Sequence, residues 1–440
     1  MKAIKSQRVI INGKICPAAI TMQNGLIHEI LPYDSLPDSV ESEDYGNLVI
    51  MPGIIDAHVH INEPGRTKWE GFETATKAAA AGGITTLADM PLNSSPVTIT
   101  LEALEMKRGA AKNKLTVDCS FYAGLIPGNE ANIEPLLDAG VRGVKAFLCH
   151  SGIDEFPAAT EKELRSVMPL LAKRDIPLLA HAEITDSDLP AFDNHSNYLQ
   201  YSASRPERWE INATKLLINL CRETGCRVHI VHLASAKAAE LLKDAKEEGL
   251  PITVETAPHY LFFSSENIPD GNTLYKCAPP IRDHNNREAL HDALFSGVID
   301  FVATDHSPSP PELKELKTGN LKKAWGGISS LQLLLPSLWT VTRKRGASPA
   351  DICRWLCSNP ATFLNIFDQT GEIAPGKEAS FVIWDSEKSF TVKASSLYHR
   401  HRLTPYDGLQ LTGRVENVWL RGEKIYNGSE ILINNAGISR

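Results

Sequence analysis

An alternation of short apolar segments with helix-length amphipathic segments constrains the fold more than any other feature of the sequence. Eight apolar segments have the length expected of buried parallel strands, at residues 53–60, 85–90, 116–123, 143–148, 177–181, 227–233, 251–255 and 300–304. Helices are predicted between and after them, at residues 73–81, 161–172, 210–222 and 237–248, with another opened by Ser348 as N-cap. Eight such units predict a (β/α)8 TIM-like barrel.

A doubly wound open sheet is the alternative arrangement of alternating strands and helices. That fold normally carries a glycine-rich phosphate-binding turn after its first strand. In this chain, the first strand instead leads into His58-Val-His60. The sequence therefore favours the barrel.

The two ends of the chain share a different pattern, in which apolar and polar residues alternate about glycine turns. Asn12 and Asn24, each followed by glycine, predict β-hairpins near the N-terminus. A similar alternation returns at residues 380–384 and 415–426. We predict a small β-sandwich domain built from both chain termini, residues 1–51 and 369–440, with the barrel domain at residues 52–368.

Composition restricts the class of protein. The chain has 440 residues, 42% of them hydrophobic, and a formal net charge of −8, which argues against a nucleic-acid partner. The N-terminal residues lack a signal-peptide core, and the apolar run at residues 331–339 is too short to span a membrane. The eight cysteines form no Cys-x-x-Cys pair. We predict a cytoplasmic protein with reduced thiols and no membrane partner.

Polar residues lie near the ends of five predicted strands, where barrel enzymes carry their active sites. His58 and His60 are two residues apart, so in a strand both side chains point to the same face. Lys145 lies inside the apolar run of the fourth strand, and the ends of three further strands carry His181, His232 and Asp305. Each alone has a structural explanation, since buried lysines snorkel or pair with acids and buried histidines bond within the core. Six such residues on one rim of the barrel together predict a metal site.

The types of these residues indicate the metal. Imidazoles with a carboxylate suit zinc and related transition metals, whereas Mg²⁺ prefers oxygen ligands. An ammonium at Lys145 would be repelled by a cation, but a neutral amine can capture CO₂ as a carbamate and so become a carboxylate ligand. His229, three residues before His232, is predicted to face the other way and to be structural. His306 is predicted to point elsewhere. The positions of His150 and His259 leave their roles open.

These residues resemble the cyclic amidohydrolases of the amidohydrolase superfamily, and among them the allantoinases. The resemblance covers nearly the whole chain and is carried by residues 56–60, 143–147, 181–183, 231–233 and 304–308. It implies a binuclear zinc centre. One zinc would be held by His58, His60 and Asp305 and the other by His181 and His232, with carboxylated Lys145 and a hydroxide bridging the two.

The residue two positions after His60 separates allantoinases from dihydroorotases. Dihydroorotases typically carry Arg where Asn62 stands, and Asn where Ala278 stands. The segments at residues 89–96, 149–156, 255–260, 277–282 and 324–328 are also similar to allantoinases. Allantoin is uncharged at neutral pH and needs no guanidinium partner. Ser309 is a departure, because allantoinases usually have Cys there, but it leaves the ligand set intact.

The resemblance implies hydrolysis of (S)-allantoin to allantoate in purine degradation. The zinc-activated hydroxide would attack the ring carbonyl, and Asp305 would act as base and then acid. Substrate-binding residues would be Asn62, Asn93, Cys277, Ala278 and Gly327. The family also suggests a homotetramer. A dihydroorotase or a hydantoinase/dihydropyrimidinase with the same metal site stays open, and so does a non-catalytic scaffold, although such homologues lose ligands that this chain retains.

Overall fold

The computed structural model describes residues 1–440. Its strands are β1 (Lys2–Ile11), β2 (Lys14–Gln23), β3 (Leu26–Pro32), β4 (Glu41–Asp44), β5 (Val49–Pro52), β6 (Ile54–Val59), β7 (Ile84–Asp89), β8 (Asp118–Phe121), β9 (Ala123–Gly124), β10 (Val144–Phe147), β11 (Leu178–His181), β12 (Val228–Ile230), β13 (Ile252–Thr256), β14 (Phe301–Val302), β15 (Phe381–Thr391), β16 (Gln410–Leu420) and β17 (Glu423–Tyr426).

The α-helices lie mainly between the strands in the middle of the chain. They are α1 (Phe72–Ala81), α2 (Leu101–Ala111), α3 (Glu130–Asp138), α4 (Glu161–Lys173), α5 (Tyr198–Ala203), α6 (Glu207–Thr224), α7 (Ala236–Glu247), α8 (Pro258–Phe262), α9 (His284–Phe295), α10 (Leu334–Thr342), α11 (Pro349–Cys353) and α12 (Asn359–Phe363). None of them combines the length and the apolar character needed to cross a lipid bilayer.

Strands β6 to β14 form the predicted barrel. Strands β6, β7 and β8 pair in parallel, and β9 to β14 form a second run of neighbours in chain order. The runs meet at both ends, because β8 continues into β9 past Tyr122 and Val59 pairs in parallel with His306 beyond β14. All eight predicted strands are therefore confirmed, the third of them in two pieces.

Alternation along the barrel strands separates an outer from an inner core. Val144 and Ala146 belong to the large cluster that also contains the apolar faces of the helices. Leu179, on the neighbouring strand, belongs to a smaller cluster with other side chains of the opposite phase. Lys145 and His181 share the phase of Leu179, since side chains alternate along a strand. The fold thus turns these two polar residues toward the barrel interior.

A second sheet combines both ends of the chain. Its strand order is β17-β16-β15-β5-β1-β2-β3, with β4 pairing with β1. Strand β5 joins the two ends through antiparallel pairing of Met51 with Val382 on β15. The two predicted hairpins are confirmed, and Asn12 and Asn24 have φ values of 48° and 54°, in the left-handed region that asparagine tolerates. The domain boundaries at residues 51 and 368 stay a prediction.

The helix starts follow from local sequence. Ser348 caps α11 by accepting from the backbone N–H of Asp351, whose carboxylate bonds back to the backbone N–H of Ser348. Pro349 occupies the first turn, where its missing N–H costs nothing. Thr160 and Glu163 form the same reciprocal cap on α4. The Ser348 cap predicted from sequence is confirmed.

Candidate metal centre

The structure brings all six predicted ligand residues to one rim of the barrel. His58 and Lys145 lie within β6 and β10, His181 ends β11, and His60 directly follows β6. His232 and Asp305 lie in the loops after β12 and β14, with φ values of 40° and 46°. All six side chains are buried. Backbone turns at the strand ends, as well as the strands themselves, therefore aim these groups at one another.

Two histidines and one aspartate form the first part of the cluster. The Nε2 atoms of His58 and His60 lie 3.3 and 3.4 Å from Oδ1 of Asp305. Ligand atoms from all three residues lie within 4.8 Å of one another, close enough to share one metal ion. Two imidazoles with one carboxylate match a donor set that zinc accepts.

Two further histidines and the lysine form the second part of the cluster. Nδ1 of His181 lies 3.1 Å from Nε2 of His232. The His232 ring centroid is 5.4 Å from that of His58, so the two parts adjoin. Lys145 Nζ is buried and has no hydrogen-bond partner, and burial lowers the pKa of this amine to about 7. The cluster therefore contains an amine that is readily neutral.

Buried carboxylates fix which ring nitrogen of two histidines faces the cluster. Nδ1 of His58 bonds to Oε1 of Glu255, and Nε2 of His181 lies 2.7 Å from Oε2 of Glu183. Burial lowers the pKa of both imidazoles, so each ring is neutral and gives its single N–H to the carboxylate. The other nitrogen of each ring then presents a lone pair to the cluster, as a metal ligand requires.

The carboxylates are in turn supported. The Arg205 guanidinium bonds to both oxygens of Glu183. Burial acts to raise the pKa of Glu183, but Arg205 and His181 outweigh it and lower this pKa to about 2. Glu255 also bonds His229, whose Nε2 is 3.1 Å from Oε2. The donor set, the ring tautomers and the unpartnered Lys145 amine together fit a metal centre.

A cavity of about 630 Å³ opens onto the cluster. Asn93, Ala278 and Gly327, three of the five predicted substrate-binding residues, line it. Asn62 and Cys277 are buried but do not line it. Asn62 has a φ of 67° and its Nδ2 donates to the carbonyl of Pro308, 3.4 Å away. The backbone turn directs its side chain toward the loop after Asp305.

The remaining histidines occupy varied environments. His306 lies with Nε2 3.3 Å from Glu70, away from the cluster. His150 is exposed at the cavity rim. His259 is buried with neither ring nitrogen hydrogen-bonded, and burial lowers its pKa to about 4. Strand β12 ends at Ile230, so the alternation that placed His229 opposite His232 does not extend to His232. His229 supports Glu255 from within the barrel.

Three residues around the centre were not identified from sequence as parts of it. Glu255 lies in β13 and Glu183 lies two residues after His181, both inside segments that carry the family resemblance. An acid at or just past a barrel strand end was a usable signal for both. Arg205 lies in the loop between α5 and α6, where no pattern marks it.

Comparison with known proteins gives a consistent result. The model of the amidohydrolase family matches residues 49–425. The chain is 45% identical to an allantoinase of Streptomyces avermitilis, over 97% of this chain and 96% of the relative. It is 41% identical to an allantoinase of Saccharomyces cerevisiae, over 98% and 96%. The solved structure of an L-hydantoinase (dihydropyrimidinase) from Arthrobacter aurescens matches all of both chains, with 29% identity and a TM-score of 0.93. The chain belongs to the amidohydrolase family, and within it to the group of the allantoinases.

Proposed function

We propose that this protein is an allantoinase, a cyclic-amide hydrolase that opens the hydantoin ring of (S)-allantoin to give allantoate. The observation that carries the proposal is identity of 41–45% to allantoinases along nearly the whole chain. The cavity supports it, because its floor holds the metal-binding cluster and its walls present groups that can bond an uncharged ureide.

We propose two zinc ions as the cofactor. His58, His60 and Asp305 would hold one and His181 and His232 the other, with Lys145 carboxylated as a shared ligand. The buried, unpartnered amine of Lys145 supports this, because carbamate formation needs a neutral nitrogen. The carbamate would carry a negative charge at the end of the lysine side chain, which the two ions would stabilise. Bound zinc would supply Lewis-acid polarisation of the ring carbonyl and would acidify the attacking water.

Asp305 is proposed as the proton carrier. Burial acts to raise the pKa of its carboxyl, but the surrounding histidines, among them His60 as a hydrogen-bond donor, outweigh this and hold the pKa below the usual range. The group is therefore an ionised base at neutral pH. It can accept a proton from the attacking water and deliver that proton to the departing ring nitrogen, so that one residue serves both steps.

Substrate orientation is proposed to come from Asn93, Ala278 and Gly327. Asn93 Oδ1 is buried and has no partner, so it can accept an N–H of the ureide. Asn62 and Cys277 would shape the wall from behind, since neither lines the cavity. With Asn at position 62, no guanidinium is present there to pair with a carboxylate such as that of dihydroorotate.

The experiment is a substrate panel on one zinc-loaded sample whose metal content is measured. We expect turnover of (S)-allantoin to exceed that of dihydroorotate and of 5-substituted hydantoins. Dihydroorotate as the best substrate would refute the proposal. The structural likeness to a hydantoinase makes 5-substituted hydantoins the second candidate. Less than one metal ion per chain in a well-folded sample would instead favour a non-catalytic scaffold.

The oligomeric state and the location in the cell are separate proposals. The family resemblance alone supports a homotetramer, whereas the eight free cysteines support a location in the reducing cytoplasm. Light scattering coupled to size-exclusion chromatography tests the first, and a monomeric mass would contradict it. Cell fractionation tests the second.

A further inference from the structure

Arg66 ties together three of the loops that surround the cavity. It lies in the loop after β6, and its Nη1 donates to the carbonyls of Asn93 and Ser94, at 3.1 and 3.3 Å. Its Nη2 donates to Oε1 of Glu155 at 2.8 Å. Asn93 and Ser94 follow β7 and Glu155 follows β10. One guanidinium thus connects the loops after the first, second and fourth barrel strands.

Arg66 reaches a fourth loop through two tryptophan rings in edge-to-face contact. The Arg66 guanidinium lies 5.6 Å from the centroid of the Trp69 ring. Trp69 packs edge-on against Trp325, with ring centroids 4.8 Å apart. Trp325 follows β14 and lines the cavity. Arg66 therefore braces the cavity wall without lining the cavity itself.

Of the three residues that accept hydrogen bonds from Arg66, only Asn93 lines the cavity. The backbone of Asn93 has a φ of 64°, in the left-handed region that asparagine tolerates, and this turn brings its carbonyl to the Arg66 guanidinium. Its side chain lines the cavity and is only 4% exposed, and its Oδ1 has no hydrogen-bond partner. A buried amide oxygen left unpaired is unfavourable. A ligand that donates an N–H from within the cavity would remove that penalty.

We propose that Arg66 is a positioning residue for substrate recognition: it fixes the Asn93 backbone so that Asn93 Oδ1 accepts an N–H from the bound cyclic ureide. The identity of the ureide rests on the proposed function. A guanidinium suits this role because its planar fork serves two carbonyls and a carboxylate at once, which a lysine ammonium on a flexible stem does not. Loss of Arg66 would let the backbone turn at Asn93 move, so that the Asn93 side-chain amide would no longer have a single position.

A general stabilising role is the alternative to a positioning role. The Arg66–Glu155 pair is partly exposed, and such pairs contribute little to stability. The variant Glu155→Gln removes the ion pair but keeps both carbonyl contacts. We expect it to leave kcat and KM within twofold of the wild type. A larger effect would place the function of Arg66 in the ion pair and overturn the proposal.

The decisive experiment is a double-mutant cycle on the zinc-loaded enzyme with Arg66→Met, Asn93→Ala and the double variant. We expect each single variant to raise KM about tenfold and to change kcat less than threefold, as loss of a binding contact does. The double variant should be no more than twofold worse than Asn93→Ala, because Arg66 acts through Asn93. The proposal would be overturned if the rise in KM of the double variant equalled the product of the rises in the two single variants. A fall in kcat at unchanged KM would also overturn it.

Two additions keep the result interpretable. Arg66→Lys is taken through the same cycle in case Arg66→Met does not fold, and it should restore part of the affinity because one carbonyl contact is possible. Zinc content and melting temperature are measured for every variant, and zinc loss in Arg66→Lys would count against positioning. If the wild type hydrolyses another cyclic amide better than allantoin, the proposed function fails, but the cycle run on that substrate still tests Arg66.

Discussion

Replacement of Glu255 by glutamine should weaken metal binding without changing any residue of the proposed ligand set. Glu255 is 1% exposed and lies behind the centre. Its Oε1 bonds Nδ1 of His58 and lies 3.3 Å from the backbone N–H of His232, and its Oε2 bonds Nε2 of His229. Two carboxylate oxygens thus serve three donors.

The size of the effect follows from these contacts. Glutamine offers one acceptor oxygen and one NH₂ group, so either His58 or His229 must face a donor. If it is His58, its proton moves to Nε2, the nitrogen beside Asp305, and the ligand lone pair is lost. A hydrogen bond to a buried charged group contributes about 1.5–3 kcal/mol. Loss of such an outer partner costs roughly 10- to 100-fold in metal affinity, or about 1.4–2.7 kcal/mol.

The assay is competition for zinc between the enzyme and a chromophoric chelator at pH 7.5. The matched control is Glu210→Gln, which alters another buried glutamate that bonds Arg282 and the backbone N–H groups of Ala234 and Ser235. The control should lower the melting temperature and leave zinc affinity unchanged. A folded Glu255→Gln enzyme with a zinc dissociation constant within twofold of the wild type would refute the tautomer argument.

Three further predictions concern charged groups at and near the cavity. Lys145→Ala should lose metal and turnover, with partial rescue by short carboxylic acids that replace the carbamate; activity that still needs Lys145 but shows no rescue would contradict that role. Burial lowers the pKa of Lys314 to about 7 from 10.5. From about pH 7 to pH 10, the Lys314 amine is protonated in the unfolded chain but not in the folded one. In urea titrations, the unfolding free energy of the wild type minus that of Lys314→Met should therefore rise with pH. A difference that does not change with pH would contradict the lowered pKa. Arg205→Met should raise the pKa of Glu183, which supports His181. As the pH is lowered, zinc affinity should then fall at a higher pH than in the wild type. An unchanged pH dependence would show that Arg205 does not control this carboxylate.

The ligand cluster could be predicted because topology alone brings its members together. In a barrel of parallel strands, every C-terminal strand end reaches the same rim, so His58 and His181 converge even though helices separate them in sequence. Lys145 lies within β10 and reaches the cluster because its side chain points into the barrel interior. His232 and Asp305 were also found, since each lies within three residues of a strand end. No distance needed to be known.

The support for the cluster could not be predicted in the same way. The contact between His58 and Glu255 joins residues 197 positions apart, and its meaning lies in which ring nitrogen it uses. Asn62 shows the related difficulty for the cavity wall. Its position just past His60 suggests contact with substrate, but a left-handed turn sends its amide to the Pro308 carbonyl. Asn62 and the Pro and Gly that follow indicate a turn, but residue type and spacing do not give the direction in which that turn sends the side chain.

The sheet built from both chain ends has a consequence for synthesis on the ribosome. Strand β5 emerges early, but its partner β15 lies more than 300 residues later, as the pairing of Val49 with Trp384 shows. At roughly 5–20 residues per second, translation leaves the open edge of β5 waiting about 15 to 65 seconds. Throughout that interval the nascent chain presents unpaired backbone groups to other chains. Yield in cells should therefore depend on chaperone supply as well as on the stability of the finished barrel.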